Sequence, residues 1–276
     1  MTSRDDVAHN LSTIDQITAE AKALDADLVA FPEMAPFFSH DRAALEAFVT
    51  PFQGNGTVAA LSKIAAKHAI NLWIGSLATR NTDGRIVNRT LVFDRSGALV
   101  SYYDKIHLFD VDLGEGERYG ESRTYAAGDQ AVVCDIAGAR LGLTICYDLR
   151  FPSLYRHLAH AGADIIGVPA AFTRPTGKAH WEVMLRARAI ETGAFVIAPA
   201  QCGDHGNGRK TWGHSMIIDP WGNIIAAAGD EPTHLHAEID LTAVDHARKK
   251  MPAWNTPSSF MPAKAAIAPA LKAAGE

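Results

Sequence analysis

Apolar side chains recur at three- and four-residue steps in Val7, Leu11, Ile14, Ile17, Ala21 and Leu24, which predicts an amphipathic helix from about Asp6 to Leu24. Ser3 with Asp6 fits a capping box ahead of it. Asp27 to Phe31 is a short apolar run stopped by Pro32, the pattern of a buried parallel strand, and its end carries Glu33. Val58, Leu61 and Ala65 then mark a second helix near Val58 to Ala69, and Leu72 to Leu77 reads as another strand. From there the period changes from helical to alternating. Ile86 to Phe93 and Ala98 to Tyr103 are rich in β-branched and aromatic residues, and the turn signals Asp83-Gly84 and Ser96-Gly97 make them antiparallel hairpins.

Val132 to Ile136 and Leu141 to Ile145 form a further strand pair around Gly138, the second ending on Cys146. Pro152 suits the first turn of a helix to about Ala161, and Asp164 to Val168 returns as a strand stopped by Pro169. Ala179 to Ile190 is helical, with a Glu182/Arg186 pair and Gly193 as its stop, and leads into the strand Ala194 to Ala200. His214 to Asp219, Ile224 to Ala228 and His234 to Ile239 add three strands around the turn Pro220-Trp-Gly-Asn223. Helices alternating with strands and interleaved hairpins predict sheet packed on sheet with helices outside, in one α/β domain over residues 1–260. Ala, Pro and Lys dominate the tail 261–276, which is expected to lie along a surface or a partner.

Composition narrows the function classes. With 276 residues, 47% of them hydrophobic, the chain can bury a large core. Lys plus Arg is 26 against 31 Asp plus Glu, a net charge of −5, and no basic block concentrates positive charge, which argues against nucleic acid as a partner. The longest apolar stretch, Ala161 to Phe172, is broken by Asp164 and stays below the ~18 residues of a membrane span. The opening residues form no apolar signal core, and three cysteines make no disulfide framework, so a reducing cytoplasm with free thiols is expected.

The cysteines differ in setting. Cys134 sits in an alternating strand as a small hydrophobe. Cys202, in Gln-Cys-Gly-Asp-His205, admits either a Cys/His dyad or simple packing in a glycine-rich loop. Cys146 ends a strand just before a helix, where backbone N–H groups and the positive helix end would stabilise a thiolate, so it is either a nucleophile or a buried thiol. A nucleophile needs a base or a cation nearby. Glu33 and Lys105 both end strands, where functional groups of α/β sheets gather; a solvated glutamate and a snorkelling lysine are the alternatives. The histidine pairs His157/His160 and His234/His236 lack a Cys or carboxylate at ligand spacing, so no metal is expected. Glu182 is either a carboxylate behind the site or the helix partner of Arg186.

The strings Phe-Pro-Glu33, Tyr-Asp-Lys105-Ile-His-Leu-Phe and Thr-Ile-Cys146-Tyr-Asp-Leu-Arg-Phe-Pro, in that order and spacing, resemble the signature segments of the nitrilase (carbon–nitrogen hydrolase) superfamily. Gly177-Lys-Ala-His-Trp-Glu182, Arg186-Ala-Arg-Ala-Ile-Glu191, Trp212-Gly-His-Ser-Met216 and Asp219-Pro-Trp-Gly222 resemble its Nit branch, which holds ω-amidase-like and deaminated-glutathione-amidase-like enzymes. The likeness runs from about residue 3 to 255.

The resemblance implies a four-layer αββα sandwich that pairs its sheets across a homodimer or higher homo-oligomer, with Glu33, Lys105 and Cys146 as catalytic triad and no cofactor. A second glutamate of the Nit branch matches Glu121 in Tyr119-Gly-Glu-Ser122, with Glu115 and Glu117 as rivals. Tyr147 would supply an oxyanion-binding backbone N–H, and Phe172 and Thr173 a substrate wall. Arg150 either clamps a substrate carboxylate or pairs with Asp148 or another structural acid. The implied reaction is hydrolysis of a small, carboxylate-bearing linear amide to acid and ammonia through a cysteine thioester. A nitrilase, an N-carbamoyl-amino-acid hydrolase and a catalytically silent binding or scaffold protein are the rival readings.

The chain departs from the family pattern at its start. An apolar strand normally precedes the segment matching Met1-Thr-Ser3, so either the true start lies upstream, which is the expectation, or the sheet is completed differently; a missing inner strand would expose ladder groups and apolar surface.

Overall fold

The computed structural model describes residues 1–114, 117–206 and 208–257. The predicted tail 261–276 and the rival Glu115 lie outside the described residues. In chain order the elements are α1 (Val7–Ala23), β1 (Leu28–Ala30), α2 (Arg42–Phe48), α3 (Gly56–His68), β2 (Asn71–Arg80), β3 (Ile86–Phe93) and β4 (Leu99–Asp104). A short hairpin, β5 (Asp110–Asp112) and β6 (Arg118–Gly120), precedes β7 (Val132–Ile136), β8 (Ala139–Leu143), α4 (Pro152–His160) and β9 (Ile165–Gly167). The chain continues with α5 (Arg174–Thr192), β10 (Phe195–Ala198), β11 (Cys202–Asp204), β12 (Lys210–Trp212), β13 (Met216–Ile218), β14 (Ile224–Ala227) and α6 (Thr242–Lys250).

Two sheets carry the architecture. One has the order β1-β2-β3-β4, the other β14-β13-β10-β9-β8-β7. Trp73, Val92 and Tyr103 of the first pack among Leu141, Leu143 and Ile166 of the second, so the sheets meet face to face. The approach is closest at Gly167, where a β-carbon would stand 2.2 Å from the Trp73 ring. Outside the first sheet, α1 and α3 bury Ile14, Leu61 and Ile64 against Leu72 and Ile74. Outside the second, α4 and α5 bury Leu158, Trp181 and Leu185 with Ile165 and Val196. The layers are therefore αββα, as the resemblance implies.

Local chemistry sets several boundaries differently from the sequence pattern. Asp6 alone caps α1, accepting from the His9 N–H at 3.0 Å, while Ser3 is buried and donates to the Ala35 carbonyl at 2.9 Å. The predicted strand His234 to Ile239 pairs with no described strand. Its burial alternates, but a ladder needs a neighbour about 4.8 Å away, and this segment instead rests Ile239 on the core and sets His234 against Glu20 of α1. No described strand precedes α1. β1 is an edge strand with β2 as its neighbour, and residues 1–3 dock elsewhere: the Cys202 N–H donates to the Met1 carbonyl at 3.1 Å and Ser3 N–H to Gln201 Oε1 at 3.0 Å.

Candidate active site

Strand direction explains why distant residues converge. β2 is parallel to β1, β3 reverses and β4 reverses again, so β1 and β4 point the same way and release Glu33 and Lys105 at one edge of the sheet. Glu33 follows β1 through Phe31-Pro32, and Lys105 follows β4 directly. Cys146 comes from the second sheet, beyond the end of β8, which runs parallel to β9 and β10. All three side chains are at least nine-tenths buried and line one cavity of about 310 Å³ between the sheets' ends.

The Lys105 ammonium lies 3.1 Å from Glu33 Oε1 and 3.0 and 2.8 Å from the two oxygens of Glu121. Burial pulls its pKa down, but Glu121, Glu33 and the Cys146 sulfur outweigh this and hold the lysine charged, well above its ordinary value. Glu121 is fixed from outside the cluster by the Phe109 N–H at 2.7 Å. Glu33 accepts from the Ala171 N–H at 2.9 Å and the Asn88 side-chain amide at 2.9 Å, so both its oxygens are oriented. Glu117 is exposed and turns its backbone to Leu113 and Gly114, away from the lysine. Glu121 therefore occupies the position for which Glu117 competed.

Cys146 does not end a strand. β8 stops at Leu143, and Cys146 opens the short 3₁₀ turn Cys146–Arg150 with φ +49°, its N–H donating to the Pro169 carbonyl at 2.9 Å. This left-handed backbone is strained for a residue with a side chain and points the sulfur between Glu33 and the Ala171 N–H. The expected thiolate stabilisation is reversed. Burial, followed by the Glu33 charge, raises the thiol well above its ordinary value despite Lys105. One five-residue turn offers little dipole against complete desolvation. The resting group is a thiol beside a carboxylate.

Asp148, two residues on and fully buried, anchors this turn. Its carboxylate accepts from the Tyr103 hydroxyl at 2.7 Å, the Ile145 N–H at 2.9 Å, and both the backbone N–H at 3.0 Å and ring Nδ1 at 2.7 Å of His107. Asp148 thus pairs with His107 and not with Arg150, and among the described residues Arg150 forms no ion pair with any other acid. Arg150 instead sits 3.3 Å from His180 Nδ1, over the rings of Tyr147 and Phe172, and lines the cavity. Tyr147, Phe172 and Thr173 line it too, and Thr173 Oγ1 lies 2.8 Å from Thr176 Oγ1. Glu182 pairs with Arg186 at 3.5 Å on the exposed face of α5, outside the site.

Cys202 makes no dyad with His205. Its sulfur lies 3.5 Å from the Met1 carbonyl, while His205 is bound by the Ser3 carbonyl at 2.8 Å and Thr211 Oγ1 at 2.7 Å. Cys134 is a buried packing residue of β7 whose thiol burial pushes up to about 11. Among the described residues no group of three or more His, Cys, Asp or Glu is arranged to hold a metal.

Sequence reasoning missed three contributors. Asn88, whose amide bonds Glu33, had a signal: Asn88-Arg-Thr90 interrupts an otherwise apolar strand. Asp148 was weighed only as a partner for Arg150. Arg209, in a glycine-rich loop 63 residues past Cys146, carried no local sign that it reaches the cavity.

The profile of the family described as carbon-nitrogen hydrolase matches residues 1–249. A deaminated glutathione amidase of Yersinia enterocolitica is 40% identical over 255 residues, 91% of this chain and 88% of that protein. The Caenorhabditis elegans NitFhit protein superposes with a TM-score of 0.84 at 34% identity, covering 92% of this chain and 62% of that longer one. Nit3 of Saccharomyces cerevisiae, a member of branch 10 of the nitrilase superfamily, gives 0.81 at 28% identity over 91% of this chain and 90% of its own. With a profile spanning nine-tenths of the sequence and the same sandwich in solved relatives, the chain belongs to the carbon–nitrogen hydrolase family and is an amidase of the nitrilase superfamily.

Proposed function

We propose that Cys146, Glu33, Lys105 and Glu121 hydrolyse a small linear amide bearing a carboxylate, through a thioester on Cys146. The observation that carries this reading is the thiol held against Glu33 while Glu33 and Glu121 both grip the Lys105 ammonium on one cavity wall. Glu33 takes the thiol proton as sulfur attacks the carbonyl carbon. The oxyanion that forms is met by the Lys105 ammonium and the Tyr147 backbone N–H. The C–N bond breaks as Glu33 returns that proton to the leaving nitrogen, releasing ammonia or an amine. Water then attacks the thioester, Glu33 accepts its proton, and collapse of the second tetrahedral species releases the acid while the proton returns to sulfur. Glu121 keeps Lys105 charged and aimed.

Arg150, without a described acid partner and with Phe172 and Thr173 beside it, suits a substrate carboxylate. Deaminated glutathione, named for the Yersinia relative, heads the candidates, with α-ketoglutaramate, glutaramate and N-carbamoyl amino acids as the discriminating set. The expected result is product release from an amide in this set, abolished in Cys146→Ala with the circular dichroism spectrum unchanged; retained turnover sinks the mechanism. Release from nitrile or N-carbamoyl substrates in preference to amides sinks the amide assignment.

The chain is read as a homodimer or higher homo-oligomer. Val183 and Ile190 on α5, with Trp221, Ile224 and Ile225, leave large apolar side chains exposed on its surface. Sedimentation of wild type against Val183→Asp tests this, with a monomeric wild type as the contrary result. Free, buried cysteines and the lack of any described helix long and apolar enough to cross a membrane fit a reducing compartment such as the cytoplasm, which fractionation of the native cells would check.

A further inference from the structure

The two oxyanion donors of the proposed reaction come from different sheets. Lys105 leaves β4 of the first, and Tyr147 lies in the turn Cys146–Arg150 beyond β8 of the second. The Lys105 backbone is tied to its own side: its N–H donates to the Asn88 carbonyl of β3 at 2.9 Å, and its carbonyl accepts from the Gly128 N–H at 2.8 Å. Apolar packing holds the sheets face to face but is non-directional, so it does not by itself fix how far the end of β4 lies from the turn. One fully buried carboxylate reaches across. Asp148 Oδ2 accepts from the Tyr103 hydroxyl of β4 at 2.7 Å and from the Ile145 N–H beyond β8 at 2.9 Å. Its Oδ1 accepts from the His107 N–H at 3.0 Å and from His107 Nδ1 at 2.7 Å.

Tyr103 and His107 stand two residues before and two after Lys105, while Ile145 and Asp148 bracket Cys146 and Tyr147. The lysine, the nucleophile and the Tyr147 N–H therefore lie inside stretches pinned to the same two oxygens. Four donors converge there, and an ionised acid accepts on both oxygens with no proton of its own, which an asparagine cannot do. Burial, followed by the Asp148 charge, raises the Tyr103 hydroxyl far above its ordinary value, so it stays a donor. The same hydroxyl accepts from the Ile106 N–H at 3.2 Å, steadying the residue after the lysine. The His107 ring lies flat on Phe151, with 3.5 Å between centroids, and Phe151 closes the nucleophile's turn.

We infer that Asp148 is a positioning residue of the oxyanion site: by holding Tyr103, His107 and Ile145 on one carboxylate it sets the separation of the Lys105 ammonium and the Tyr147 N–H. Asp148 itself does not line the cavity. Its effect falls on the transition state more than on the bound amide, because the carbonyl oxygen gains charge only as sulfur attacks.

This inference rests on the amide-hydrolase reading, and one experiment separates the two. Tyr103→Phe removes a donor and keeps the ring; Asp148→Asn turns an amide N–H2 toward donors. Glutaric semialdehyde matches the acyl half of glutaramate. The Cys146 sulfur adds to its carbonyl carbon, the π pair moves to oxygen and the thiol proton ends there, giving a hemithioacetal whose oxygen occupies the oxyanion position. The alcohol δ-hydroxyvalerate has the same chain and cannot add. In Tyr103→Phe, kcat on the best amide of the discriminating set is expected to fall about 10-fold with KM within about twofold, and the aldehyde's advantage in Ki over the alcohol to fall in step with kcat. Asp148→Asn should lose about 10²-fold in both, the scale of a misplacement of about 1 Å, and Tyr103→Phe carries the test if that variant fails to fold. A purely structural role lowers the active fraction or weakens both ligands alike. An unchanged aldehyde-to-alcohol ratio in Tyr103→Phe, or a loss carried by KM, therefore overturns the inference. Wild type that turns over an amide but binds the aldehyde no more tightly than the alcohol overturns it alone. Wild type that turns over no amide of the set, and whose Cys146 the aldehyde does not protect from iodoacetamide, overturns the amidase reading with it.

Discussion

Asp104 and Lys105 are sequence neighbours at the end of β4, yet they enter opposite kinds of charge cluster. Asp104 meets Arg89 across the β3–β4 ladder in a bidentate pair at 2.6 and 2.7 Å, sealed by Phe52 and Tyr102 around the guanidinium. Lys105 points the other way, into two carboxylates and a thiol on a cavity wall. One cluster is neutral and closed. The other holds one cation against two carboxylates and opens onto space where a reacting molecule can sit. The difference teaches that buried charge marks chemistry only where the cluster is left unbalanced and a cavity reaches it.

The sharpest test removes the cation. Lys105→Met is expected to lower turnover about 10³-fold or more, as loss of an oxyanion donor does, when product release is measured on the best amide. It also leaves Glu33 and Glu121 without the cation they share. Arg89→Ala should act in the opposite currency, costing about 3 kcal/mol in urea unfolding by stranding Asp104, with a far smaller effect on turnover. Equal activity losses in the two variants would erase the distinction between the clusters.

A third measurement concerns a buried neutral group rather than a charged one. Burial holds His205 near pKa 4, and its partners fit a neutral ring: Nδ1–H donates to Ser3 and Nε2 accepts from Thr211. The unfolded chain binds a proton nearer pH 6.5, so the stability from keeping this ring neutral is complete above that pH and is lost as pH falls toward 4. The wild type should lose roughly 2–3 kcal/mol more over this window than His205→Gln, by denaturant unfolding at each pH. The smallest expected effect is at the sheet interface. Gly167→Ala forces a methyl against Trp73 and should cost about 1–2 kcal/mol, seen as a lower Tm with the active site intact.

Much of the site was legible because its residues sit at the ends of strongly patterned strands. Glu33 follows an apolar run closed by proline, Lys105 ends an alternating hairpin, and each lies inside a string of family-like residues. The layers were legible for the same reason, since period-two and period-3.6 patterns state which faces are apolar. Helix α2, the hairpin β5–β6 and α6 escaped because short elements owe their form to what they dock against. The strand predicted at His234 to Ile239 failed for the complementary reason: alternation specifies a ribbon but does not supply its neighbour.

By itself, the sequence determined the order of helices and strands, the αββα layering that their apolar faces require, and which residues of each strand end could do chemistry. Only the tertiary structure decided what those residues are as chemical species. Two reversals of direction between β2 and β4 bring Glu33 and Lys105 together, and burial keeps the Cys146 proton on sulfur. The loop carrying Arg209 closes on Ala171 from far along the chain. Protonation and pairing depend on distances of a few ångströms in a desolvated space, and these arise only when segments remote in sequence share one wall.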